Sequence, residues 1–429
     1  MRWQMTTPGL CKLGIVSMIG VLCAFPAEQT RADGYVQTNL VANSEAFAPQ
    51  ILDRTLLNAW GIAIRPAGLG GHFWVESNGA GTSNEFVGDV GGNPLYIDNL
   101  RLVSVTGPSL APAPGFAIGT PTGVVFNSSD NFTVTQGSIT GAARFMMATD
   151  NGAISAWTER QNPNGSVDRP SYTKLTVDRS AQGTQYFGLA INPAQDRIYA
   201  ANFGVNPGIQ TFNASFVDVS ATAPFANPFT TSGPIKPGDY APFNIQSLGT
   251  NQSESLFVTY AKTAEDPNHA GKVLPGEEVH GAGFGRIAQF DANGQLIRVW
   301  DDQGLLNSPW GLAFAPSGFG EFSGDLLVGN FGDGTIVAFD PVTHKAVGFL
   351  HDPSGKLITI DGLWGLQFGN GASLGEANAL YFAAGPNDEV DGLFGRLSVS
   401  SVPEAQTYFM LSAGLLAVAF LRRRIAIAA

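Results

Sequence analysis

A phrase that returns six times constrains this chain more than any other feature. An aromatic or Pro-led start, with Gly close behind, opens an apolar run. A second apolar run follows, then a small-residue turn rich in Asn, Asp and Gly, then a third run ending near an aromatic. Trp60-Gly61-Ile62-Ala63 leads to HFWVESNGAGTSNEFVG, Pro121-Thr122-Gly123-Val124 to RFMMATDNGAISAW, and Phe187-Gly188-Leu189-Ala190 to RIYAANFGVNPGIQTF. Pro242-Phe243-Asn244-Ile245 leads to SLFVTYAK, an insertion and GRIAQFD. Trp310-Gly311-Leu312-Ala313 leads to DLLVGNFGDGTIVAFD, and Trp364-Gly365-Leu366 to ALYFAAGPNDEVDGLFGRL. The anchors at 60, 123, 188, 243, 310 and 364 lie 54 to 67 residues apart. That spacing has room for four strands of about 5–6 residues with their loops. Self-similarity on this scale marks solenoids, propellers or arrays.

The runs themselves read as strands. Leu326-Leu327-Val328 and Thr335-Ile336-Val337-Ala338-Phe339 are β-branched, aliphatic or aromatic and bounded by Gly. No long helical periodicity separates the units. In the fifth unit the strands fall at 310–315, 325–329, 335–340 and 346–350. Six such units around an axis make an all-β, six-bladed β-propeller, which leaves only short protected edges. Two separate sheets or a solenoid is the competing arrangement. The sixth unit has room for only three strands before residue 400. Tyr35 to Val41, YVQTNLV, is a strand without a unit. It is expected to supply the missing outer strand and lock the ring, making residues 33–400 the propeller.

Composition agrees. Gly and Pro supply 53 and 26 of 429 residues, an excess that favours turns, and charged residues are only 14% against roughly 25% on average. Lys and Arg number 23 and Asp and Glu 35. The segments 1–32 and 401–429 hold six of the basic and two of the acidic residues, so the body between them carries a net charge of −16. Such a body offers little to the phosphates of a nucleic acid, which excludes that class of partner. It suits a solvated extracellular surface or cation binding. The only cysteines, Cys11 and Cys23, lie in the first segment. A body without that segment has no disulfide and no thiolate metal site.

Residues 1–32 have the three parts of a secretory signal peptide. Arg2 and Lys12 give the positive region, Leu13 to Phe25 an apolar stretch too short for a comfortable span, and Thr30-Arg31-Ala32 the small residues of a cleavage site. Residues 401–429 run SVPEAQTYFMLSAGLLAVAFLRRRIAIAA. Tyr408 to Leu421 is uncharged and reads as a transmembrane helix, with Arg422, Arg423 and Arg424 as the cytoplasmic stop. The order resembles the PEP-CTERM sorting signal of Gram-negative bacteria. Val402, Pro403 and Glu404 fall on its motif, and Ala405 departs from the usual second Pro. The resemblance implies an exosortase-like processing enzyme as partner. It further implies an inner-membrane-anchored precursor and delivery to the cell surface or extracellular matrix. An ordinary tail anchor is the alternative.

The phrases NAWGIAI, YAPFNIQ, SPWGLAFAPSGFGEFSGDLLVGNFGDGTI, IDGLWGLQFGNG and LYFAAGPNDEVDGLFG together resemble an uncharacterised family of exported propeller proteins, over roughly residues 35–399. Members often carry the same tail. The resemblance implies a fold and an address and no reaction. More distantly, the blade phrase is similar to NHL-type and gluconolactonase-type propellers.

In a propeller the loops between second and third strands, and between blades, open on one face around the channel. The former carry Asn78, Asp150 with Asn151, Asn202, Asn330 with Asp333, and Asn387 with Asp388; the latter add Asn58, Asn307 and Asp361. Two readings compete. Hard oxygens from several blades could hold calcium or another divalent cation, and gluconolactonase-type propellers use such a ring for a catalytic metal that polarises a carbonyl or activates water. The same residues are the ordinary chemistry of tight turns. Trp60, Trp310 and Trp364 invite either sugar stacking at the mouth or packing between blades. The insertion 262–283, KTAEDPNHAGKVLPGEEVHGAG, holds His269, Glu277, Glu278 and His280. It reads as a mobile lid over the same face, a disordered loop, or a transition-metal site without a defined motif. No Gly-x-Ser-x-Gly elbow, phosphate loop, dinucleotide fingerprint or His-Glu-x-x-His occurs. Two functions follow: a binding or structural module holding an extracellular polysaccharide or surface protein, and a secreted metal-dependent hydrolase of the lactonase type.

Overall fold

The computed structural model describes residues 34–111, 113–230, 233–249 and 255–400. The expected signal peptide, the Val402-Pro403-Glu404 motif, the transmembrane helix and Arg422 to Arg424 lie outside the described residues. Among those described, no helix is long and apolar enough to cross a membrane.

Six antiparallel sheets follow one another along the chain at the six anchors. Blade one is Ala59–Ala63, Phe73–Ser77, Thr82–Phe86 and Leu102–Ser104. Blade two is Pro121–Phe126, Phe145–Thr149, Ala153–Trp157 and Lys174–Asp178. Blade three has three strands, Tyr186–Ile191, Arg197–Asn202 and Gly208–Asn213. Blade four is Tyr240–Leu248, Ser255–Glu265, Gly285–Phe290 and Leu296–Val299. Blade five is Pro309–Phe314, Leu326–Asn330, Ile336–Asp340 and Lys345–Phe349, within one residue of the expected strands. Blade six is Leu363–Phe368, Ala379–Ala384 and Leu393–Val399.

The outer strand of blade six is the N-terminal strand Tyr35–Ala42, antiparallel to Leu393–Val399, with Tyr35 opposite Val399 and Ala42 opposite Leu393. The expected closure is therefore what the chain does. The third unit departs from the four-strand expectation. After Asn213 the chain folds Phe225 and Phe229 against Phe290 and Tyr260 of blade four, which fills the space between blades three and four with side chains instead of a strand.

The core is divided by blades. Six buried apolar layers lie between successive blades, including one between blades six and one that joins Phe73, Val75 and Phe86 to Tyr381 and Phe394. A seventh cluster, Trp60, Phe187, Phe203, Phe243, Trp310 and Trp364, fills the axis. The repeated Gly explains how the innermost strands come so close. A Cβ on Gly61 would lie 2.4 Å from the Thr122 carbonyl oxygen of the next blade, and one on Gly365 would lie 2.4 Å from the Trp60 oxygen across the closure. Gly123, Gly188 and Gly311 meet the following blade in the same way. Asn244 takes the Gly position in blade four and bridges the gap with its side chain, its carboxamide donating to the Trp310 oxygen at 2.8 Å.

Candidate functional site

The axis carries an aromatic plug with a cavity at each end. Trp364 stacks on Trp60 at 3.7 Å and on Phe331 at 3.8 Å between ring centres, and Trp310 meets both indoles edge-on. Trp310 donates to the Phe187 oxygen and Trp364 to the Asn58 carboxamide oxygen. All three Trp are buried, so packing between blades is their main role, and Phe331, half-buried, is the aromatic nearest solvent. At the exit end of the inner strands, a cavity of about 370 Å³ is lined by Ile62, Ile64, Val124, Phe126, Leu189, Leu312, Phe314, Leu366 and their neighbours. At the entry end, a mouth of about 230 Å³ is lined by Asn58, Trp60, Asp150, Gln185, Phe187, Gly276, Glu277, Glu278, Phe331, Trp364 and Glu389.

The mouth is built from all six blades. Blade one supplies Asn58, in a left-handed backbone (φ 46°), and Asn78, whose amide donates to Asp150 of blade two at 2.9 Å. Thr120 also donates to Asp150. Blade six supplies Glu389, at the end of three consecutive non-glycine residues with positive φ: Asn387 58°, Asp388 53° and Glu389 63°. Left-handed backbone costs a residue with a Cβ roughly 1–2 kcal/mol. The turn is held in it by Asp361, which accepts from the Asn387 amide, and by Asp391, which accepts from the Asn387 side chain.

Blade four supplies the remaining carboxylates, and here the structure corrects the sequence. The insertion is not a loop without regular structure. Strand Ser255–Glu265 runs on past its blade and pairs with Val273–Val279 as a hairpin, Lys262 opposite Val279 and Glu265 opposite Val273. The Gly276 amide donates to the Phe203 oxygen, which seats the returning strand over the mouth. His269 is exposed in the hairpin turn, paired with Asp266, and is not part of the cavity lining. His280 pairs with Glu278 at 2.8 Å and lies edge-on to Phe331.

The carboxylates of the mouth are in conflict with one another. Burial lifts Asp150 above the usual carboxylate value, against the pull of Thr120 and Asn78. Burial and then Glu278 lift Glu277. Glu389 is exposed as a residue but turns its carboxyl into the mouth. That carboxyl goes up to about 7, chiefly through lost hydration, against the pull of Asn58 and with repulsion from Glu278, Asp150 and Glu277 added. The Glu278 carboxylate raises His280 in turn. The site gathers carboxyl groups whose ionisation is held back until a cation arrives, over an aromatic floor.

The expected ring of metal ligands is not assembled. Asn202 spends its oxygen on the Gln185 and Gly204 amides and its nitrogen on the Val205 and Asn206 oxygens. Asn330 accepts from the Asn307 amide and donates to Leu305 and Thr335. Both are turn clamps tying the second strand to the entry of the first. The Asn307 carboxamide is held by Gly281 and Asp333, and Asn387 and Asp361 hold each other's turn. Asp388 is exposed and does not line the mouth. Among the described residues, no three His, Cys, Asp or Glu side chains converge as a metal-binding group. Of the expected ligands, Asn58 and Asp150 line the mouth, and Asn78 holds Asp150 from behind the lining. Gln185 and Glu389 were not anticipated. Gln185 precedes a repeat anchor and Glu389 follows Asn387-Asp388, positions that periodicity does not single out.

Fold and mouth together define a six-bladed β-propeller with a carboxylate-rimmed axial site. The chain is 30% identical over 397 residues to Uncharacterized protein R648 of Acanthamoeba polyphaga mimivirus, covering 92% of this chain and 88% of that protein, and it belongs to that protein's family. Uncharacterized protein L690 of the same virus is 29% identical over 363 residues, 83% of this chain and 84% of that protein. No family model matches. Among solved structures, a glucose dehydrogenase is similar at TM-score 0.43 and 13% identity over 81% of this chain and 98% of that one. A structural genomics protein of unknown function from Bacteroides thetaiotaomicron is similar at TM-score 0.44 and 10% identity, over 86% and 73%.

Proposed function

We propose that this propeller is an exported cell-surface or extracellular-matrix binding module, and that its mouth takes an amine-bearing sugar unit of an extracellular polysaccharide. The observation that carries the reading is the mouth itself: Asp150, Glu277, Glu278 and Glu389 crowd a small cavity floored by Phe331 and Trp364. An ammonium group entering there offsets the lost hydration that lifts Asp150, Glu277 and Glu389, and for Glu277 and Glu389 the added repulsion of neighbouring carboxylates. It also gains the attraction of the ring of Phe331, the half-buried aromatic of the floor. Gln185 supplies a donor and an acceptor for hydroxyls, and polar groups over an aromatic floor are the usual make-up of a small-ligand site. The signal-peptide pattern of residues 1–32 and the sorting pattern of residues 401–429 support the address. The metal-dependent hydrolase has no assembled donor set to support it, since Asn202 and Asn330 are consumed by their own turns.

Calorimetric titration with glucosamine oligomers and with N-acetylglucosamine oligomers tests this. The amine-bearing series binds and the acetylated series, which lacks the charge, binds at least roughly tenfold more weakly, the equivalent of about 1.4 kcal/mol. Equal binding, or none, contradicts the reading.

A further inference from the structure

Away from the mouth, blade one buries two carboxylates that no part of this account uses. Strands Phe73–Ser77 and Thr82–Phe86 pair with Glu76 opposite Ser83 and Trp74 opposite Glu85. Alternation therefore places Trp74, Glu76, Ser83 and Glu85 on one face of the blade. That face abuts blade two, where Trp74 stacks on Phe145 at 4.1 Å and meets Trp157 at 4.8 Å. Glu76, Ser83 and Glu85 are each 0% exposed. The Ser83 hydroxyl, between the two carboxylates, is the polar side chain that acts on both, and it reaches neither with good hydrogen-bond geometry, so all four carboxylate oxygens are left without a well-formed partner. The charged groups nearby are already engaged: Arg65 with Glu159, and His72 and Arg169 with Asp98. Among the described residues no ion pair reaches Glu76 or Glu85.

Buried carboxylates without partners are strongly unfavourable, and here two sit as diagonal neighbours across one strand pair, about 7 Å apart at most between Cβ atoms. Their side chains are long enough to meet on a common point with Ser83 between them. We propose that Glu76, Glu85 and Ser83 form a buried site for a divalent hard cation, best matched by calcium, that fastens blade one to blade two. Five oxygens and no nitrogen or sulfur select a hard ion. Calcium accepts six to eight oxygens in flexible geometry and completes its shell with water or backbone carbonyls. The site is independent of the mouth: it shares no residue with it and acts on stability.

The full-length chain, equilibrated with calcium chloride and freed of excess ion, is assayed by elemental analysis and melted with and without EDTA. One calcium per chain is expected, with a melting temperature that rises with free calcium and falls in EDTA, as binding to the folded state alone requires. Glu76→Gln with Glu85→Gln, which keeps shape while removing charge, is expected to lose the bound ion and the EDTA response. Asp150→Asn at the mouth is expected to keep both. A wild-type chain free of metal that melts identically in calcium and EDTA overturns the proposal and makes the pair a protonated carboxyl pair. Because that result is read on the wild type, it stands even where the double variant does not fold. Retention of calcium by the double variant also overturns it.

Discussion

Single residues carry two sharp expectations. The inner-strand glycines are set by the neighbouring blade and not by turn chemistry, since a Cβ on Gly365 would overlap the Trp60 carbonyl. Gly365→Ala is therefore expected to cost about 2–3 kcal/mol, the range for forcing extra volume into a packed core. Urea titration measures it, and a neutral result would mean that the blades are not in register across the closure. Glu389 gives the second. Its folded-state value of about 7 stands above the ordinary 4.5, so the fold prefers the protonated form. Its stabilising contribution is complete below about pH 4.5 and is lost as pH rises through about 7. Ligand binding runs the opposite way, because an ammonium ligand gains a partner as Glu389 ionises. Over the acidic range in which the sugar amine stays protonated, affinity for glucosamine oligomers should increase with pH as Glu389 ionises, and Glu389→Gln should flatten that slope.

The elements show what patterning reveals and what it hides. The closing strand was legible because Tyr35 to Val41 was a strand without a unit and the sixth unit lacked one. Its docking is tight: the Tyr35 hydroxyl donates to the Phe319 oxygen at 3.0 Å, and its ring stacks on Phe319 at 4.7 Å. Removing residues 34–42 should open blade six and expose Leu393, Leu397 and Phe394. We expect loss of a single cooperative transition, read by coincident fluorescence and circular dichroism melts. Unchanged melting would show that the ring closes without the strand. The blade-four hairpin was not legible. Its second strand, Val273–Val279, is half-polar and carries Pro275 and Gly276, so local propensity argues against a strand. Tertiary pairing with the extension of Ser255–Glu265 decides the matter. The missing strand of blade three failed in the converse way: the spacing left room for a fourth strand, but Pro224 and Pro228 precede Phe225 and Phe229, which pack on blade four instead.

For the whole molecule, repetition is what made the fold readable. Six anchors, five of them with Gly, counted the blades because each blade must meet the next by the same close approach. The site was less readable because Asn and Asp serve turns and ligands alike. Asn202 and Asn330 clamp strand to loop, Asn58 and Asp150 reach the mouth, and nothing in their local sequence separates the two roles. The four carboxylates of the mouth come from blades two, four and six, so their meeting is a product of closure. The central claim is that this meeting point is the ligand site. Calorimetric titration of the wild type and of the Asp150→Asn, Glu389→Gln double variant with glucosamine oligomers tests it most directly. The account predicts one binding event per chain in the wild type and at least roughly a hundredfold weaker binding in a variant that melts no lower, since two charge-assisted contacts of about 1.5–3 kcal/mol each are removed. Undiminished affinity in a folded double variant would contradict it.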